Sequence, residues 1–106
     1  MLKNVKIGLL NDYYGGLLTE YQTRILSSYY DEDLSLKEIA EEEGVSRQAV
    51  ADVIKRSSEK LVEYEEKLGL VKKISNLSER LEQVIVSVDT ETAQKLKKIL
   101  NEIKEI

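Results

Sequence analysis

Residues 36–56 read LKEIAEEEGVSRQAVADVIKR, and this stretch decides the fold. Because Gly44 can adopt the left-handed conformation that ends a helix and Ser46 can cap the next helix, the spacing predicts two helices around a tight turn. Ala40 is small where the two helices must approach closely. The inner face carries four apolar side chains, Ile39, Val45, Val50 and Val53. Together these features are typical of a helix-turn-helix motif.

Sequence patterns before the motif predict two more helices. Apolar residues recur at helical spacing over about residues 2–14, and the glycine pair at 15–16 interrupts them. Capping boxes, which mark helix starts, occupy residues 19–22 and 35–38, and the acidic run at 31–33 ends the helix between them. The apolar faces of the two earlier helices hold Leu2, Val5, Leu9, Leu10, Ile25, Leu26, Tyr29 and Tyr30.

The sequence pattern of the C-terminal third predicts a helical hairpin. The second motif helix runs on to Gly69, a helix stop, and Asp89 or Thr90 then caps a last helix. Between them, apolar residues repeat in alternating steps of four and three, as in a coiled-coil seam: Leu70, Ile74, Leu77, Leu81, Val84 and Val88. In the last helix the inward residues are Ala93, Leu96, Ile99, Leu100 and Ile103. We predict a helix-turn-helix domain at residues 1–68 and a hairpin at 69–106, within one compact unit.

Composition favours an all-α protein with one core. The chain has 106 residues, of which 42% are hydrophobic, and it contains no Pro, Trp or Phe. The absence of Cys excludes disulfides and thiolate metal sites. No apolar run is long enough for a signal peptide or a transmembrane helix. We therefore expect a cytoplasmic protein that does not insert into membranes.

The residue types argue against an enzyme and against a cofactor. Without His or Cys there is no ordinary proton shuttle, thiol nucleophile or imidazole-ligated metal site. The acidic runs at residues 31–33 and 41–43 lack the spacing of a calcium loop, and we interpret them as solvated surface. The six tyrosines could form a stacking platform for single-stranded nucleic acid, but without interleaved basic residues packing is the better interpretation.

Charge is distributed unevenly along the chain. The net charge is −4, which argues against a protein that coats nucleic acid through bulk positive charge. Residues 31–45 hold seven acidic groups against one lysine. Residues 46–60 instead hold four basic groups, Arg47, Lys55, Arg56 and Lys60, against Asp52 and Glu59. The basic charge is therefore local to the second motif helix.

The predicted site residues lie on that helix. Arg47 and Gln48 are placed to read base edges, because Arg can bind guanine and Gln can bind adenine through two hydrogen bonds each. Ser46, Lys55 and Arg56 are placed for phosphates. Two alternatives stay open: an ordinary helix corner that only packs, and an Arg47 that is solvated or paired with an acid of residues 41–43.

The stretch LLTEYQTRILSSYYDEDLSLKEIAEEEGVSRQAVADVIKRSSEKLVEYEEKL resembles region 4 of the sigma-70 type transcription factors. The whole length resembles the small YlxM-type helix-turn-helix proteins, whose genes lie beside those of the signal recognition particle. The resemblance implies a sigma-70 region 4-like bundle that acts in, or regulates, the signal recognition particle pathway. The chain departs from region 4 at Ala51 and Asp52, where further basic or amide side chains are usual; Asp52 faces phosphates unfavourably.

Two functional hypotheses follow. The first is a regulator that binds double-stranded DNA through the second motif helix, with the hairpin supporting a homodimer. The second is a non-enzymatic adaptor that binds protein or RNA of the signal recognition particle. The acidic pI and Asp52 favour the second hypothesis.

Overall fold

Six α-helices and one short 3-10 helix make up residues 5–105, the part of the chain that the computed structural model describes, and no β-strand occurs there. The α-helices are α1 Val5–Tyr14, α2 Glu20–Tyr30, α3 Leu36–Glu43, α4 Arg47–Leu68, α5 Leu70–Ile85 and α6 Thr90–Lys104. The 3-10 helix, Gly15–Leu17, connects α1 to α2. The predicted all-α fold is confirmed, although the predicted start of α1 at residue 2 lies outside the described residues. None of the helices in this range is long and apolar enough to cross a membrane.

Both predicted capping boxes are present. The Thr19 hydroxyl accepts a hydrogen bond from the Gln22 backbone N–H at 3.1 Å, and the Gln22 side chain accepts one from the Thr19 N–H at 3.0 Å. Ser35 and Glu38 make the same reciprocal pair, at 3.1 and 3.2 Å. Because the first N–H groups of a helix have no partner within the helix, these bonds fix where α2 and α3 begin.

The tertiary contacts divide the chain into two units after Leu68. In the first unit, α4 packs against α1, α2 and α3. The buried apolar side chains there are Ile7, Leu10, Tyr14, Ile25, Leu26, Ile39, Ala40, Val50, Ile54 and Leu61. Burial of one Leu or Ile side chain is worth about 1.5–3 kcal/mol, so this core is what holds α4 in place. That both units form one compact body stays a prediction.

A contact between distant parts of the sequence fastens α1 to the second half of α4. The buried Tyr14 hydroxyl donates a hydrogen bond to Glu65 Oε1 at 2.5 Å. The rings of Tyr14 and Tyr64 lie 6.1 Å apart at an angle of 48°. Directly after α1, the carbonyl oxygen of Gly15 in the 3-10 helix accepts a hydrogen bond from the Thr23 hydroxyl of α2 at 2.8 Å. The tyrosines at this junction therefore pack within the protein.

In the first unit, Leu9 and Val45, which the sequence assigns to apolar faces, are exposed. Leu9 is exposed because the buried face of α1 runs through Ile7, Leu10 and Tyr14, at steps of three and four residues. Val45 retains 40% of its accessible surface. It lies in the turn between α3 and α4, where its backbone rather than its side chain is fixed by the fold. The predictions for Leu9 and Val45 were therefore wrong.

The second unit is the predicted hairpin of α5 and α6. Asp89 caps α6 by accepting a hydrogen bond from the Thr92 backbone N–H at 3.3 Å, and Lys104 forms an ion pair with Glu82 at 3.1 Å. The buried side chains are Ile74, Ser78, Ile85 and Leu100.

The hairpin leaves much of its apolar surface uncovered. Leu77 is 52% exposed, and Val84 and Val88 of the predicted seam are exposed as well. Ile99, predicted to face inward, is 48% exposed, so that prediction was wrong. The physical reason is that packing between two helices covers only one line of side chains on each helix.

Gly44 provides a test of the turn. Its φ is +69°, and an added Cβ would meet no atom within 4 Å, so the substitution Gly44→Ala adds backbone strain without a clash. Because a left-handed conformation costs an L-residue about 1–2 kcal/mol, we expect Gly44→Ala to lower the free energy of unfolding by about 1 kcal/mol in urea denaturation. Gly16→Ala is the control, since Gly16 has equal space and no positive φ. Equal effects of both substitutions would contradict this account.

Candidate nucleic-acid interface

The turn between α3 and α4 sets the direction of the candidate recognition helix. Gly44 adopts φ 69° and ψ 34°, the left-handed region, as predicted. The N–H groups of Gly44 and Val45 both donate to the Ala40 carbonyl oxygen, the second at 3.1 Å, which satisfies the end of α3. The Ser46 hydroxyl then accepts from the Ala49 N–H at 3.0 Å and caps α4.

The inner side of the motif is apolar and closely packed. Ile39 and Ala40 of α3 are buried, and so are Val50 and Ile54 of α4. Because these residues occupy the side of α4 that faces the core, the opposite side of its first turns points to solvent. This packing orients the exposed face of α4.

All five predicted site residues lie on the exposed part of the motif: Ser46, Arg47, Gln48, Lys55 and Arg56. Arg47 and Lys55 are separated by eight residues, which is about 12 Å along a helix axis. The structure therefore places two pairs of polar side chains two turns apart on one helix. Ser46 uses an oxygen lone pair for capping, and its own proton can still be donated to a phosphate oxygen.

The three predicted contact cations of this face lie outside the ion pairs that the structure shows in the described part of the chain. Within residues 5–105, the structure shows no ion pair for Arg47, Lys55 or Arg56. Glu43, the acid nearest to Arg47 in sequence, instead pairs with Arg24 at 2.7 Å. Hydrogen bonding from Arg24 lowers the pKa of the Glu43 carboxyl, and the same bond raises the pKa of Arg24. The ion pair between α2 and α3 thus removes Glu43 as a partner for Arg47.

One contact on this face was not predicted from the sequence. Gln48 Nε2 donates a hydrogen bond to Asp52 Oδ1 at 3.0 Å. Residues four apart are neighbours on a helix, so the spacing of Gln48 and Asp52 could have indicated the pair. Asp52 places a carboxylate within the basic face, and it binds the amide of a predicted base-reading residue.

The acidic groups elsewhere do not form a metal site. No group of Asp and Glu side chains in the described part of the chain could hold a metal ion. The pKa of the Asp12 carboxyl is raised, mainly by partial burial and secondly by the negative charge of Asp31. Asp12 and Asp31 are only two carboxylates, and they do not belong to a larger group of candidate metal ligands in the described residues.

The chain matches a family model over residues 1–105, and the family is described as "Putative helix-turn-helix protein, YlxM / p13 like". The chain belongs to this family. A relative named UPF0122 protein from Desulforamulus reducens is 52% identical, over 94% of this chain and 92% of the relative. Relatives of the same name from Halalkalibacterium halodurans and Clostridium kluyveri are 47% and 43% identical, over 95% and 98% of this chain and 94% of each relative.

Membership of the YlxM/p13-like family confirms the resemblance seen in the sequence. The family description names a helix-turn-helix protein, and α3, the turn at Gly44 and α4 form that motif in this member. The match extends through α5 and α6. The hairpin is therefore part of what the YlxM/p13-like family shares, and it is not an addition specific to this chain.

The ion pair between Arg24 and Glu43 makes stability depend on pH. Since the folded state lowers the pKa of Glu43, the pair stabilises the fold above the ordinary carboxyl pKa, and this contribution is lost as the pH falls through the lowered value. We expect Glu43→Gln to lower the free energy of unfolding at neutral pH, and the difference from the wild type to shrink below about pH 4. Urea denaturation of both proteins, at neutral pH and below about pH 4, measures this difference in the free energy of unfolding.

Glu42→Gln is the matched control, because Glu42 is exposed and lies beside Glu43 on α3. This substitution should change the free energy of unfolding little at neutral pH. If the effect of Glu43→Gln on the free energy of unfolding did not change with pH, the ion pair between Arg24 and Glu43 would not be its cause.

Proposed function

We propose that this protein is a sequence-selective DNA-binding regulator that places the first turns of α4 in the major groove. The observation that carries the proposal is Arg47, which is exposed at the start of α4 and has no ion pair within the described residues. Arg binds the O6 and N7 atoms of guanine with two hydrogen bonds, and Gln48 can read adenine in the same way. Both residues lie where recognition helices contact bases.

Phosphate contacts set the position of α4 on the duplex. Lys55 and Arg56 are exposed and lie about two turns beyond the base-reading pair. Ser46 lies at the N-terminus of α4, where backbone N–H groups and the helix dipole favour an anion. The three residues neutralise or bind backbone oxygens on either side of the base contacts, and this makes the affinity dependent on salt.

The hairpin supports a homodimer in this proposal. Leu77, Val84 and Ile99 expose apolar surface that a second copy of the hairpin would cover. A twofold dimer presents two copies of α4 to one duplex, and its operator consists of two half-sites. Cytoplasmic location, the absence of membrane insertion and the absence of catalysis belong to the same proposal.

The alternative is an adaptor that binds protein or RNA of the signal recognition particle. The net charge of −4 and the carboxylate of Asp52 on the exposed face favour it, because both oppose contact with a DNA backbone. The two functions make different demands on Arg47. A regulator requires this guanidinium for base recognition, and an adaptor that uses other surfaces tolerates its removal.

Arg47→Ala tests the leading proposal. Purified protein is incubated with sheared genomic DNA at low and physiological salt, and the bound fragments are sequenced. We expect the wild type to enrich a shared site, and Arg47→Ala to lose about 1–3 kcal/mol of selectivity for it, because the guanine contact is removed. The loss should be confined to one or two base positions.

Lys67→Ala is the matched control, since it removes one positive charge from the same helix about 30 Å from Arg47. It should leave site selection unchanged. Lys55→Ala provides a contrast: it should weaken binding to all sequences and reduce the dependence on salt by about one counterion. If the wild type enriches no site at either salt concentration, the regulator proposal is wrong and the adaptor is favoured.

Leu77→Glu tests the dimer. A buried charge at a twofold interface is repeated in both copies, so we expect this substitution to convert a dimer into a monomer in sedimentation velocity. Asn76→Glu, on the exposed polar side of α5, should leave the dimer intact. Circular dichroism verifies that both variants stay helical. A wild-type monomer at all protein concentrations, or a dimeric Leu77→Glu variant, would rule out this interface.

A further inference from the structure

Asp52 is the residue of the exposed face that DNA binding alone does not explain. It lies on the same face of α4 as Lys55 and Arg56, and yet it carries the opposite charge. Within residues 5–105 it forms no ion pair with either of these cations. The hydrogen bond that the structure gives Asp52 is the one from Gln48. Its local partner is therefore a neutral amide.

The chemistry of the two groups fixes the orientation of that amide. An ionised carboxylate only accepts hydrogen bonds, so Asp52 can bind the NH2 end of Gln48 and repels the carbonyl oxygen. A free Gln side chain on a helix can turn its amide by half a rotation and exchange the two ends. The contact at 3.0 Å selects one of these two arrangements.

The selected arrangement leaves the adenine-reading edge of the amide free. An amide pairs with adenine through its carbonyl oxygen, which accepts from N6, and through one N–H, which donates to N7. The NH2 group has two hydrogens, and only one of them lies on the same side as the carbonyl oxygen. Asp52 can bind the other hydrogen, so both hydrogen bonds to adenine stay available to Gln48.

We propose that Asp52 is a positioning residue, which holds the Gln48 amide so that α4 selects adenine at one position of its DNA site. This inference rests on the proposed function and adds a specificity determinant to it. The carboxylate weakens contact with phosphates in general, and in return it fixes one base contact. The result is a larger difference between the affinities for the correct and the wrong base.

The test compares two substitutions at one position. Asp52→Ala removes both the charge and the acceptor, whereas Asp52→Asn removes the charge and keeps an oxygen that can accept from Gln48. Base preference is measured at every site position by binding selection from a random duplex library, with Gln48→Ala run in parallel. Asp52 and Gln48 are exposed, so circular dichroism and the unfolding midpoint should be unchanged in all three variants.

We expect Gln48→Ala to lose the preference for adenine at one position by at least about fivefold. Asp52→Ala should lose most of the preference at that same position, and Asp52→Asn should retain it. Both Asp52 variants should bind nonspecific DNA more tightly than the wild type, because a negative charge has been removed. Rescue by Asn separates positioning from simple repulsion.

Three results would overturn the inference. If Asp52→Ala and Asp52→Asn both keep the adenine preference, Asp52 acts only through its charge. If Asp52→Ala changes the preference at a different position from Gln48→Ala, Asp52 contacts a base itself. If the wild type selects no site, the proposed function fails and the inference fails with it, and this outcome differs from the other two because it appears before any variant is compared.

Discussion

The left-handed backbone of Gly44 is the constraint on which the candidate site depends. It ends α3 with two N–H groups on the Ala40 carbonyl oxygen and starts α4 in a new direction. Ile39 of α3 and Val50 of α4 are both buried, and the two helices pack against each other. The side of α4 that is left in solvent is decided by this turn and this packing together. The positions of Arg47 and Gln48 therefore follow from a single glycine conformation and a few apolar contacts.

The electrostatics of the exposed face are set by local pairing and less by net charge. The chain is acidic overall, yet Glu43 is held by Arg24 across two helices. Asp52 binds an amide and no cation in the range that the structure describes. Such an arrangement leaves positive charge exposed in a small region of a negative protein. At physiological ionic strength, charges separated by more than about 8 Å are largely screened. A binding partner is therefore affected more by the charges close to the exposed face of α4 than by the net charge of the chain.

Features that depend on a few adjacent residues were predictable from the sequence. The capping box at Ser35, the turn at Gly44 and the cap at Ser46 belong to this class, because each needs only local hydrogen bonds. The exposure of Val45 and Ile99 was not predictable, since it depends on which helices lie beside them. Periodicity identifies an apolar face, but it does not say how much of that face a neighbouring helix covers.

The fastening of α1 to α4 has a consequence for what the motif is. The hydrogen bond from Tyr14 to Glu65 joins residues 51 positions apart, and both of them lie outside residues 36–56. Short helices are marginal in water on their own, so α3 and the first turns of α4 depend on a frame built by the rest of the first unit. We therefore expect residues 36–56 not to keep this structure when they are separated from the rest of the first unit. The geometry of the motif depends on the packing of the whole first unit. Grafting the motif into another protein would require the helices that pack against it as well.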